Sequence, residues 1–130
     1  MMKVFTPRTH GYLDYLTVII LLAGPGVFGL SGLPAALSYI LAVVHLVLTL
    51  VTASPLGVLK KVPLPLHGRI ELIVALGLVI LPSLLESAFN PLAGVFYTAI
   101  GGVIFLVWLF SRYQEPAEVP LPDQPNLSLE

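Results

Sequence analysis

The sequence predicts an all-α fold: a bundle of four transmembrane helices, built as two tandem helical hairpins related by pseudo-twofold symmetry along the membrane normal. Three observations carry this expectation. Four apolar segments each have about the 20 residues that cross a bilayer's hydrocarbon core. Charged residues make up 10% of the chain and hydrophobic ones 57%, whereas soluble proteins are about 25% charged. The chain also resembles itself when shifted by 57 residues. At 130 residues it has the length of one domain. A soluble domain that small would expose much of its surface and would need more charge to cover it.

The four segments are residues 7–30, 34–54, 65–86 and 91–113. Thr6-Pro7 and Asn90-Pro91 read as N-caps followed by proline at the first helical position, and Pro34 and Pro65 open helices in the same way. Gly29, Ser31 and Gly32 form a tight turn between the first pair, and residues 87–90 do so between the second. Pro25 and Pro82 fall late in helices one and three, where a membrane helix tolerates proline if a neighbour satisfies the freed carbonyl. Lys3 and Arg8 precede an apolar run, as in a signal peptide. However, Asp14 interrupts it and no small-x-small site follows, so the segment is read as a retained helix. Residues 114–130 hold four acids, four prolines and no Lys or Arg. They are expected to be a disordered acidic cytoplasmic tail beyond a membrane domain of residues 1–113.

The shift of 57 aligns residues 3–54 with residues 60–111. It places His10 on His67, Gly11 on Gly68, Asp14 on Glu71, Pro25 on Pro82 and Ser54 on Ser111. Each repeat has an acid near its start, an apolar run, a proline, a Gly/Ser turn and a second helix rich in Ala and Gly. In this it resembles the two-helix SPW repeat of bacterial and archaeal membrane proteins. The Ser-Pro-Trp position falls on Gly24-Pro25-Gly26 and Leu81-Pro82-Ser83, which share its proline. The resemblance covers residues 10–113. It implies a helical-hairpin architecture and no particular activity.

Six basic residues (Lys3, Arg8, Lys60, Lys61, Arg69 and Arg112) lie on one side, and the two opposite turns have none. The positive-inside rule puts that side, with both termini, in the cytoplasm, and the cell (inner) membrane is the expected location. The lipid bilayer is then the main partner. A net charge of −1 gives no case for nucleic-acid binding. The absence of cysteine excludes disulfides, thiol redox chemistry and cysteine-ligated metal clusters.

His10 and Asp14 are spaced i, i+4 and share a helix face, as do His67 and Glu71. Helix two carries Ser38, His45, Thr49 and Thr52 on one face. At ~1.5 Å per residue, Asp14, His45 and Glu71 lie roughly 9 to 14 Å inside the cytoplasmic helix ends. Thr49 is near that level, and His10, His67, Thr52 and Arg69 are closer to the surface. Such groups are costly in lipid and should converge in the bundle. The expected site is a buried polar cluster of Asp14, His45, Glu71, Thr49, His10, His67 and Arg69.

Three readings of this cluster stand. The first is a structural clasp, in which the acids pair with Arg69 or accept from histidine. The second is a metal or haem site with candidates His10, Asp14, His67 and Glu71. The third is a proton or ion path. The shift sets His45 against Gly102, and no second histidine lies equally deep for bis-histidine haem. Gly94, Gly101 and Gly102 admit close helix packing, within the chain or across a homodimer. Tyr12, Tyr15, Trp108 and Tyr113 suit an aromatic belt. No P-loop, dinucleotide fingerprint or nucleophile elbow is present, and no lysine within a span could form a retinal Schiff base. Acid–base catalysis by the cluster stays open.

Topology is directly testable with single cysteines introduced into this cysteine-free chain. Positions 28–33 and 86–90 should react from outside, and positions 1–6, 58–63 and 115–130 only from inside. An externally accessible C-terminus contradicts the assignment.

Overall fold

The computed structural model describes residues 2–114. It consists of α1 (Pro7–Phe28), α2 (Gly32–Val51), α3 (Leu64–Leu84) and α4 (Pro91–Phe110). All four helices are long and apolar enough to cross a membrane. Apart from Gln114, the acidic tail expected at 114–130 lies outside the described residues.

The starts of α1 and α4 follow the sequence punctuation, whereas α2 begins two residues before Pro34 and α3 one residue before Pro65, neither with a side-chain cap. The side chains of Thr6 and Asn90 accept the Thr9 and Ala93 amides, and a proline follows each cap. These bonds satisfy amides that a helix's first turn leaves free. The helix bounds fall within three residues of those expected, and α1 and α4 start at the expected residue.

Pro25 lies inside α1 without ending it. Proline has no N–H, so the Leu21 carbonyl one turn earlier loses its intrahelical donor. Ser38 of α2 supplies one, its hydroxyl lying 2.6 Å from that oxygen. The helix then closes on Gly29 in the left-handed region (φ 62°), and the Leu30 amide bonds the Pro25 carbonyl.

The main packing is α1 on α2 and α3 on α4, with a smaller α1–α4 seam; the other helix pairs, α2 with α3 among them, meet less. The core contains Val18, Leu21, Ala42, Ala75, Leu78, Tyr97 and Ile104. Tyr97 is fully buried and donates to the Pro34 carbonyl at 2.6 Å, which ties α4 to the start of α2. Val27, Ile73, Leu84 and Val95 are exposed, as apolar side chains facing lipid should be.

The buried positions follow two offsets. Between α1 and α3 the offset is the expected 57: His10 and His67, Gly11 and Gly68, Asp14 and Glu71, and Leu21 and Leu78 are all buried. Between α2 and α4 the offset is 59: Ser38 matches Tyr97, Ala42 matches Gly101, His45 matches Ile104, and Thr52 matches Ser111. The connection at 85–90 is longer than that at 29–31, and an ungapped shift misses this. His45 therefore corresponds to Ile104 rather than Gly102, and Ser111 to Thr52 rather than Ser54. Two short parallel bridges agree, Phe5 with Ser111 and Val62 with Thr52. Each joins the lead-in of one hairpin to the end of the other.

The three glycines of α4 do not make one outward face. A Cβ on Gly101 would lie 2.8 Å from the Ala75 carbonyl oxygen and 3.0 Å from Leu78 Cβ, so Gly101 lets α3 and α4 touch. Gly94 also faces α3, its Cβ position being 3.7 Å from Pro82. Nothing lies within 4 Å of a Cβ on Gly102. The expected dimer face is thus largely occupied by the chain's own α3. Gly101→Ala should lower the melting temperature of the purified protein, because carbonyl and core atoms must move. Gly102→Ala should leave it unchanged or raise it, alanine being the better helix former by about 1 kcal/mol. Equal effects of the two substitutions would contradict this packing.

Candidate metal centre

His10 is the fourth residue of α1 and His67 the fourth of α3; Asp14 and Glu71 follow one turn later. All four lie within roughly 10 Å of the helix starts, and each is at most 3% exposed. The i, i+4 spacing puts each His–acid pair on one stripe, and the bundle turns the two stripes together.

The imidazoles are oriented from behind by hydroxyls of the opposite hairpin. Ser111, capping α4, lies 2.8 Å from His10 Nδ1. Thr52, capping α2, lies 2.8 Å from His67 Nδ1. Each hydroxyl has one proton, and its oxygen lies 2.6 Å from a backbone carbonyl one turn back, Val107 for Ser111 and Leu48 for Thr52. A hydroxyl that donates there must accept from the ring, so each Nδ1 carries its proton. In a neutral ring each Nε2 then presents a lone pair.

These two nitrogens face each other at 3.5 Å. His10 Nε2 lies 3.2 Å from Asp14 Oδ1 and 3.2 Å from Glu71 Oε2. His67 Nε2 lies 3.4 Å from Asp14 Oδ2 and 3.5 Å from Glu71 Oε1. Four electron-pair donors converge, and one atom from each falls within a 4.8 Å set. Charge-assisted N–H···O bonds are shorter, about 2.7–2.9 Å. A single Nε2–H would have to be shared between two carboxylates, which weakens each bond. Ligands about 2.1 Å from a tetrahedral ion stand about 3.4 Å apart, close to the distance from each Nε2 to the nearer oxygen of each acid, though the two histidines meet different oxygens of each carboxylate.

Tyr113 closes the site on the side of the α1 and α3 starts. It sits beyond α4 and donates to Glu71 Oε2 at 2.7 Å. Burial, with the Glu71 carboxylate adding to it, pushes its phenol well above the ordinary range, so it stays a donor. Gly68 makes room for its ring, since a Cβ there would lie 2.7 Å from it. Leu56 covers Gly11 in the same way.

Of the expected cluster, His10, Asp14, His67 and Glu71 meet, and His45 borders them with Nε2 3.9 Å from Asp14 Oδ1. Thr49 is buried, but its hydroxyl donates to the His45 carbonyl within α2. Arg69 is not in the cluster: it is exposed and forms no ion pair among the described residues. Two positions beyond His67, it lies about 200° round the helix and so faces away. Ser111 and Tyr113 are the residues that sequence reasoning missed. A two-residue gap in the repeat alignment pairs Ser111 with Thr52 and marks it as a histidine partner.

A porphyrin does not fit here, because the carboxylates fill the space beside the His10–His67 axis. A divalent ion does. Two carboxylates and two neutral imidazoles around it sum to zero charge, which suits a low-dielectric interior. The all-N/O donor set suits Zn²⁺, Fe²⁺ or Mn²⁺ better than Cu(I), which takes soft sulfur ligands. Comparison of the chain with protein families, curated proteins and solved structures gives no match.

Proposed function

We propose that this chain is a multi-pass membrane protein that binds one divalent transition-metal ion through His10, Asp14, His67 and Glu71. One observation carries the reading: two imidazole nitrogens 3.5 Å apart, each 3.2–3.5 Å from an oxygen of both carboxylates, with one donor atom from each residue inside a 4.8 Å set, a convergence of four donors that a single ion can share. The hydroxyls on both Nδ1 atoms and Tyr113 on Glu71 are the outer-shell partners that metal-ligating His and carboxylate groups use. A clasp would use the same groups with protons in place of the ion, but it gives no reason for each nitrogen to stand midway between two acids.

The reading includes a pseudo-twofold axis along the membrane normal, passing between His10 and His67. It places both termini and the metal on the cytoplasmic side of the cell membrane, which the basic residues support. The resemblance to SPW repeats is consistent with it.

The test is elemental analysis and melting of full-length protein purified in detergent without chelator. About one ion per chain is expected, lost in His10→Ala and in His67→Ala. At a hundredfold excess over Kd, added metal should stabilise the protein by about 2.7 kcal/mol over the chelated form. Thr52→Val and Ser111→Ala should each weaken binding about 10- to 100-fold. Metal-free protein that melts identically with chelator and with added Zn²⁺, Fe²⁺ or Mn²⁺ would return the cluster to a clasp.

A further inference from the structure

One buried group is left over from the four-ligand set. His45 is 8% exposed, and its Nε2 has no hydrogen-bond partner among the described residues. An unpaired buried nitrogen is costly, so such a group calls for a partner. His45 also breaks the repeat, because Ile104 holds the matching place on α4. The four ligands are complete without it, and its ring faces His67 edge-on with centroids 6.4 Å apart.

The bundle opens at this place. The α2–α3 seam is looser than its counterpart between α1 and α4. A crevice enters there between Val44, Leu48, Ile70 and Val74, with His45 and Glu71 among its lining residues. It contains about 30 Å³ of free space, enough for a water-sized group, which needs roughly 10–15 Å³. Its walls are apolar, and Val44 at its edge is exposed on the lipid-facing surface. Four protein ligands by themselves make a closed site, but zinc sites can expand from four ligands to five, and a fifth, exogenous ligand needs space beside the ion.

We infer that the α2–α3 crevice is the mouth of an open coordination position, where a water or another small ligand of two or three heavy atoms binds the ion and is held by a hydrogen bond to His45 Nε2. This rests on the metal reading above. It makes the site one that exchanges a small ligand rather than a closed structural centre. An apolar lateral entrance favours molecules that partition into lipid.

The experiment uses full-length protein in lipid nanodiscs, loaded with Co²⁺ and followed by visible absorption, which reports coordination number. Azide is the probe. Titration should change the Co²⁺ spectrum saturably. His45→Ala should raise the azide dissociation constant by about tenfold or more, the loss of a good hydrogen bond, with Co²⁺ still bound. Val44→Trp, which plugs the mouth without touching a ligand, should abolish or greatly slow the azide response and keep the Co²⁺ spectrum. Bound Co²⁺ whose spectrum ignores azide overturns the open position and leaves the metal site standing. Equal azide affinity in wild type and His45→Ala overturns the role of His45. Failure to bind Co²⁺ at all overturns both.

Discussion

Two imidazoles held nose to nose inside a membrane bundle, each with a carboxylate on either side, form an arrangement that must be neutralised by protons or by a cation at its centre. Lone pairs and negative oxygens repel one another strongly where the dielectric is low. The rings cannot turn away, because Ser111 and Thr52 bind their Nδ1 atoms from behind. The rest of the fold can be understood as the means of holding this geometry. The two helix-end hydroxyls orient the rings, Tyr113 fixes Glu71, and Gly68 and Gly11 let the closing residues come down onto the site.

Each hairpin depends on the other. The hydroxyl that orients the first repeat's histidine comes from the second repeat, and the reverse. The bridges at Phe5 and Val62 bring those helix ends into register. Farther into the membrane the devices are apolar or local. Ser38 repairs the gap that Pro25 leaves in α1, and Gly101 lets α3 and α4 approach. The polar centre and the apolar core thus occupy separate levels of one bundle. The α2–α3 seam, where His45 replaces the apolar residue of the other hairpin, is the place where the two halves differ.

Much of this was legible in the residues themselves. Helices of membrane-spanning length follow from apolar runs, and their starts from Thr6-Pro7 and Asn90-Pro91. The pairs His10–Asp14 and His67–Glu71 follow from i, i+4 spacing and from the repeat. Other parts depend on register and azimuth, which composition does not carry. Arg69 shared the depth of the cluster but not its side of the helix. The match of Thr52 with Ser111 needs a two-residue gap that an ungapped shift hides. Gly94 and Gly101 could have served a dimer or their own bundle, and only the placement of α3 decides. Tyr113 read as a belt aromatic because its reach back to Glu71 is a contact of the folded chain.

The central claim is that four protein groups share one ion. X-ray absorption at the metal edge of the zinc-loaded, full-length protein tests it most directly. The account predicts a first shell of four or five nitrogen and oxygen atoms at about 2.0–2.1 Å, with the outer-shell scattering of two imidazole rings. A shell of oxygens alone, without imidazole scattering, would place the ion elsewhere and contradict the account.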